Sequence, residues 1–199
     1  MVSSEKASAP MGLLGPGGSG VQRVLSSGER SGPAAAPGQE PLCCSRVVVA
    51  GGGRDLAWPA ARVAAGLLGA TGGRPVHLLL HGDARGADQS IDRAARRLGW
   101  LVQAVPAEWE RHGRAAGPIR NRQLLRRALL AAQSLSSPGY PASVLVVVFP
   151  GRRGTASLLQ LARELQRSQE QAARLERAPA VAVVEISAAD ASFSPARLR

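Results

Sequence analysis

Val144-Leu145-Val146-Val147-Val148-Phe149, followed at once by Pro150-Gly151-Arg152-Arg153-Gly154-Thr155, is the stretch that decides the fold. The first half is apolar throughout and largely β-branched, the composition of a strand buried on both faces. From Ala156 onward the pattern turns amphipathic with a helical period. A strand, a tight turn and a helix start in direct succession form the unit from which parallel sheets are built. At such a helix start the first N–H groups lack intrahelical acceptors and the dipole adds positive potential, so small residues let a phosphate come close. Arg152 and Arg153 add charge to the turn. Any strand-to-helix connection also needs a tight turn, so this stretch alone leaves a plain turn and an anion site equally open.

Upstream of it, a β-branched strand at 46–50 ends in Gly51-Gly52-Gly53-Arg54-Asp55, and a helix follows over 58–70 with Pro59 in its first turn and Gly72-Gly73 past its end. The unit repeats with a strand at 76–80, a polar turn at 81–86 and a helix over 87–98 stopped by Gly99. A third strand covers 101–105, Pro118 opens a helix reaching about residue 133, and 134–142 is a loop. Downstream lie a helix over 155–177 and a fifth strand at 181–186. Apolar strands alternating with helices predict a Rossmann-like α/β fold: a doubly wound parallel sheet of about five strands with helices on both faces. Ligands of such sheets sit beyond the carboxyl ends of the strands, where strand order reverses. The Gly51 turn, the His81 turn, the segment from Glu108 to Asn121 and the Pro150 turn all belong to that edge.

Length and composition bound the rest. The 199 residues suffice for one compact domain, assigned to 45–187. Residues 1–44 are rich in Ser, Gly, Pro and Ala without sustained period and read as a disordered tail, with a second short tail at 188–199. Met11-Gly12-Leu13-Leu14-Gly15 is too short for a secretory core, and no run approaches the roughly 20 apolar residues of a membrane span, so a cytoplasmic protein is expected. Adjacent Cys43 and Cys44 and scattered His77, His81 and His112 give no metal framework, and no cofactor or metal is expected. The net charge of +11 arises entirely within residues 45–199, which points to an anionic partner. Lys6 is the sole lysine, which excludes a phosphate-loop lysine and a Schiff base in the domain. Many of the arginines have a plainer origin as solvated surface; those beside glycine turns stay candidates because a guanidinium grips phosphate bidentately. The NAD fingerprint fails, since Leu56 stands where the third glycine belongs and His81 replaces the acid that would hold the ribose.

Five motifs in order, Gly52-Gly53-Arg54-Asp55, His81-Gly82-Asp83-Ala84-Arg85-Gly86-Ala87-Asp88, Pro106-Ala107-Glu108-Trp109, Gly113-Arg114-Ala115-Ala116-Gly117-Pro118-Ile119-Arg120-Asn121 and the Pro150 turn, resemble the SLOG superfamily, most closely its YspA-related branch. The resemblance spans residues 46–186. It implies a fold that binds nucleotides or nucleotide-derived ligands, by sensing or by processing them. Among relatives, LOG enzymes cut the N-glycosidic bond of nucleoside 5'-monophosphates and DprA-like proteins bind single-stranded DNA; both activities are alternatives here.

The ligand-binding candidates are Gly52, Gly53, Arg54, Gly82, Gly86, Asp88, Arg120, Asn121, Gly151, Arg153, Gly154 and Thr155. Gly151, Gly154, Thr155 and Arg120 would hold the phosphate, and the sugar or base would lie near Gly53, Arg54, Asp88 and Asn121. Asp88 can equally cap its helix, and Arg54 with Asp55 can equally be a local ion pair. Trp109 can stack a base or cover the sheet edge. The phosphoribohydrolases resemble Pro-Gly-Gly-x-Gly-Thr-x-x-Glu at the turn, whereas this chain has Arg152 at the third position and Leu158 where the glutamate falls. A leucine handles no proton, so hydrolysis would need Asp83, Asp88 or Glu108 to supply the carboxylate. The expected partner is a nucleotide-type small molecule. A homodimer is implied by related folds, single-stranded nucleic acid is a second-rank partner, and no membrane is expected.

Overall fold

The computed structural model describes residues 45–138, 140–173 and 179–187. The two tails, the cysteine pair and the end of the helix expected to reach residue 177 lie outside them. In chain order the elements are β1 (Arg46–Gly51), α1 (Ala60–Thr71), β2 (Val76–His81), α2 (Ala87–Arg97), β3 (Leu101–Ala104), α3 (Trp109–His112), a 3₁₀ turn (Gly113–Ala115), α4 (Ala116–Leu135), β4 (Ser143–Val148), α5 (Arg153–Ala173) and β5 (Val181–Glu185). All strand pairs are parallel, in the order β3-β2-β1-β4-β5.

Alternation along the central strands builds two cores. Val47 and Val49 of β1 and Val144, Val146 and Val148 of β4 pack with Leu124, Leu125 and Ala128 of α4 and Leu158 and Ala162 of α5. Val48, Ala50, Leu145, Val147 and Phe149 point the other way, onto Val63 and Leu67 of α1 and Ile91, Ala94 and Ala95 of α2. Both sets are almost fully buried, and each large aliphatic side chain so placed stabilises the fold by roughly 1.5–3 kcal/mol. Apolar strands with helices on both faces are thus the doubly wound sheet that the sequence predicts.

α2 starts at Ala87 as the sequence reading has it, whereas the starts of α1, α4 and α5 differ from it by two residues. Pro59 stands outside α1 as its cap, with φ −58° and ψ 146°, and its carbonyl accepts the N–H groups of Arg62 and Val63 at 3.0 and 3.2 Å. α4 begins at Ala116, ahead of Pro118, because a proline in the first turn lacks only an N–H that would have no helical acceptor. Arg120 therefore sits in the second turn of α4. α5 begins at Arg153. The segment expected to be merely polar after β3 contains α3 and the 3₁₀ turn, divided at Gly113, which takes φ 49°.

Candidate functional site

Sheet order reverses between β1 and β4: the chain proceeds outward from β1 through β2 to β3 on one side and from β4 to β5 on the other. The loops leaving the two central strands are lashed together, with Phe149 N–H donating to the Gly51 carbonyl at 2.8 Å and Gly53 N–H to the Pro150 carbonyl at 2.9 Å. Ala87 N–H, at the start of α2, donates to the Gly53 carbonyl at 3.0 Å and ties in the β2 loop. Beyond these ends opens a cavity of about 650 Å³, a size that suits a small-molecule ligand. Gly52, Gly53, Arg54, Asp88, Arg120, Asn121, Arg153, Gly154 and Thr155 line it.

The N-terminus of α5 supplies one wall. Its first intrahelical bond runs from Ala156 N–H to the Arg152 carbonyl at 2.9 Å, so the N–H groups of Arg153, Gly154 and Thr155 precede the helical ladder. A side chain at Gly154 would meet nothing within 4 Å, which leaves the backbone open at this point. Gly151 does a different job: a Cβ there would lie 1.9 Å from Thr155 Oγ1 and 2.7 Å from the Gly53 nitrogen, so it permits the contact between the two central loops. Asn121 is buried and donates from Nδ2 to the Gly154 carbonyl at 3.3 Å, fixing α4 to the head of α5.

Arg120 and Asp88 form the opposite wall. Asp88 is 3% exposed; its Oδ2 accepts Ala84 N–H at 3.1 Å and faces Arg120 Nη1 at 3.4 Å, while Oδ1 is buried without a partner. Burial pushes the Asp88 carboxyl above the ordinary carboxylate range, and the Ala84 N–H and the charge of Arg120 offset this only in part. The Arg120 guanidinium passes over Gly82, where a Cβ would fall 0.8 Å from Nη1. Gly82 is thus the gap through which the arginine reaches the aspartate. Gly86 takes φ 81° beside the Arg54 carbonyl oxygen, 2.1 Å from where its Cβ would be, so it closes the β2 loop onto the β1 loop.

His81 underlies this loop. Its Nδ1 accepts Asp83 N–H at 3.2 Å, which leaves the proton on Nε2 to donate to Asp92 Oδ1 at 3.3 Å. Both ring nitrogens are engaged in holding the turn, as expected of a scaffold histidine. The Asp92 carboxyl is held below the usual range, first by its hydrogen bond from Arg96.

Asp83, at φ 54°, lines a smaller adjoining cavity of about 300 Å³ with Gly82, Arg54, Trp109 and Arg120. Glu108 lines neither space; it is exposed and faces Arg111 and His112 at 3.5 Å. Leu158 is buried in the floor of the larger cavity, against Gly51. Asp55 pairs with Arg152 across the open rim at 3.4 Å, so Asp88 is the buried carboxyl of this cavity. The Arg54 guanidinium stacks 5.3 Å from the centre of the half-exposed Trp109 ring, forming the remaining edge.

Two polar lining side chains had no role in the sequence reading. Arg114 lies in the 3₁₀ turn, and a guanidinium between two glycines was the available signal. Ser157 faces inward from α5 at the second position after the proposed phosphate turn, which its helical phase could have indicated. Among the described residues no helix is long and apolar enough to cross a membrane, and no group of three or more His, Cys, Asp or Glu side chains could hold a metal. No family model, curated protein or solved structure matches the chain.

Proposed function

We propose that this chain binds a phosphorylated nucleotide or nucleotide-derived ligand in the crevice between the carboxyl ends of β1 and β4. One observation carries the reading: a single cavity at the switch point is lined by both the N-terminus of α5 and the side chains of Arg120 and Asp88. Unpaired helical N–H groups and a guanidinium bind an anion, and a buried carboxyl beside them binds a polar group attached to that anion. The resemblance of the five motifs to the SLOG superfamily supports the same assignment.

The test is a thermal-shift titration of the purified protein against mononucleotides, ADP-ribose, NAD and a single-stranded oligonucleotide. A ligand specific to the folded state stabilises it by about 2.7 kcal/mol at a hundredfold excess over its dissociation constant. For a domain of this size that is a rise in Tm of about 9 °C. A saturable rise with one nucleotide class is expected; its absence across the panel overturns the reading.

Hydrolysis of the N-glycosidic bond is a second reading, favoured by Asp88 as the buried carboxyl in the wall of this cavity, whose pKa burial shifts upward, the direction a general acid requires. It predicts release of free base from AMP by the wild type and none by Asp88→Asn. No turnover across the common monophosphates leaves binding as the function.

A further inference from the structure

Asp88 leaves open half of its hydrogen-bonding capacity at the cavity wall. Its Oδ2 is occupied by Ala84 N–H and Arg120, whereas Oδ1 is buried and has no partner. Buried polar atoms of folded proteins are nearly always paired, so an exception in the wall of a ligand-sized space marks where a ligand group completes the set. The neighbouring buried polar side chains are already engaged, His81 through both nitrogens and Asn121 with the Gly154 carbonyl.

The chemistry of that missing group is constrained. An ionised Oδ1 requires a donor, and a protonated one requires an acceptor for its own hydrogen. An exocyclic amine of a base satisfies only the first condition, and a carbonyl only the second. A hydroxyl satisfies both. We infer that Asp88 Oδ1 reads a ribose hydroxyl and that the cavity therefore selects ribonucleotides over deoxyribonucleotides. This rests on the nucleotide reading proposed above. A deoxy ligand would leave the already buried Oδ1 without the partner that a ribose hydroxyl supplies, and a site built around a hydroxyl discriminates against such an analogue.

The experiment is calorimetric titration of the full chain with AMP, 2'-deoxy-AMP, 3'-deoxy-AMP, IMP and ribose 5-phosphate. At least one deoxy analogue is expected to bind about 10- to 100-fold more weakly than AMP, the loss of one hydrogen bond to a carboxyl group. That gap is expected to close in Asp88→Ala. Should this buried substitution prevent folding, the wild-type comparison decides alone. Equal affinities for AMP and both deoxy analogues overturn the inference while leaving nucleotide binding intact. A loss with IMP that closes in Asp88→Ala, beside no loss with either deoxy analogue, overturns it by assigning Asp88 to the base. Binding by neither AMP nor ribose 5-phosphate, together with no thermal shift across the wider nucleotide panel, removes the nucleotide reading itself and this inference with it.

Discussion

Gly82 shows how much of this site hangs on single positions. Its missing side chain leaves the space that Arg120 Nη1 occupies on the way to Asp88. The clashing atom in Gly82→Ala is the far end of a flexible side chain, so the variant is expected to fold, with Arg120 displaced. Nucleotide affinity should drop as far as in Arg120→Ala, on the order of tenfold for one charge-assisted hydrogen bond; calorimetry on the two variants checks this, and an unaffected Gly82→Ala would mean that Arg120 does not touch the ligand. Asp88 supports a pH prediction. Its carboxyl binds a proton more tightly in the folded state than in the unfolded one, first because of burial. Its contribution to stability is therefore fully present below about pH 3.8 and is lost as pH rises through the folded-state value. Asp88→Asn removes that loss, so its Tm should exceed that of the wild type at neutral pH and converge with it in acid. Thermal melts from pH 3 to 8 read the difference directly. In the sequence Gly82, Asp88 and Arg120 stand out by motif, but the reason for the glycine does not, because the side chain that crosses it belongs to a helix far along the chain.

At the scale of elements, the head of α5 is the clearest inheritance from sequence to site. The strand, glycine turn and helix are readable because period and composition change sharply at Pro150, and only the helix start moves, from Thr155 to Arg153. Thr155 is thereby the third helical residue, where an acid complements the dipole. Thr155→Glu is accordingly expected to leave the fold intact and to add about 0.3–1 kcal/mol of stability while abolishing nucleotide binding, since the new carboxylate occupies the anion's position. A raised Tm with no ligand-induced shift is the outcome to look for; undiminished affinity would detach the phosphate from α5. The segment after β3 was far less legible. α3 has only four residues, Trp109–His112, too few for a helical period to register, and Gly113 at φ 49° ends it before the 3₁₀ turn. Yet this segment brings Trp109 against Arg54 and places Arg114 on the cavity. Alternating hydrophobicity finds elements that bury a face, and α3, with no buried residue, has no such face to show.

The whole molecule sets what the sheet edge can bind. Alternation of strands and helices announced a parallel sheet, whereas the order β3-β2-β1-β4-β5 depends on which way each crossover turns, and no local pattern encodes that. Only with that order known do the Gly51 and Pro150 turns become neighbours, joined by the bond from Gly53 to Pro150. The charge of +11 raises a competing possibility at the same scale, because arginines spread over a surface attract a polyanion regardless of any cavity. Salt separates the two. A mononucleotide in the crevice meets a helix terminus and a few guanidiniums and carries no condensed counterions to release, so its affinity should fall only modestly between 50 and 200 mM salt, through screening alone. A single strand held by many surface arginines would lose several orders of magnitude over the same range. Calorimetric titration of AMP and of an oligonucleotide at four salt concentrations yields both slopes. A shallow slope for AMP beside weak, steeply salt-dependent oligonucleotide binding is the expected pair, and it would assign the surplus charge to attraction of anions toward the crevice. Tight oligonucleotide binding that persists at 200 mM salt would instead mean that the strand itself is the ligand.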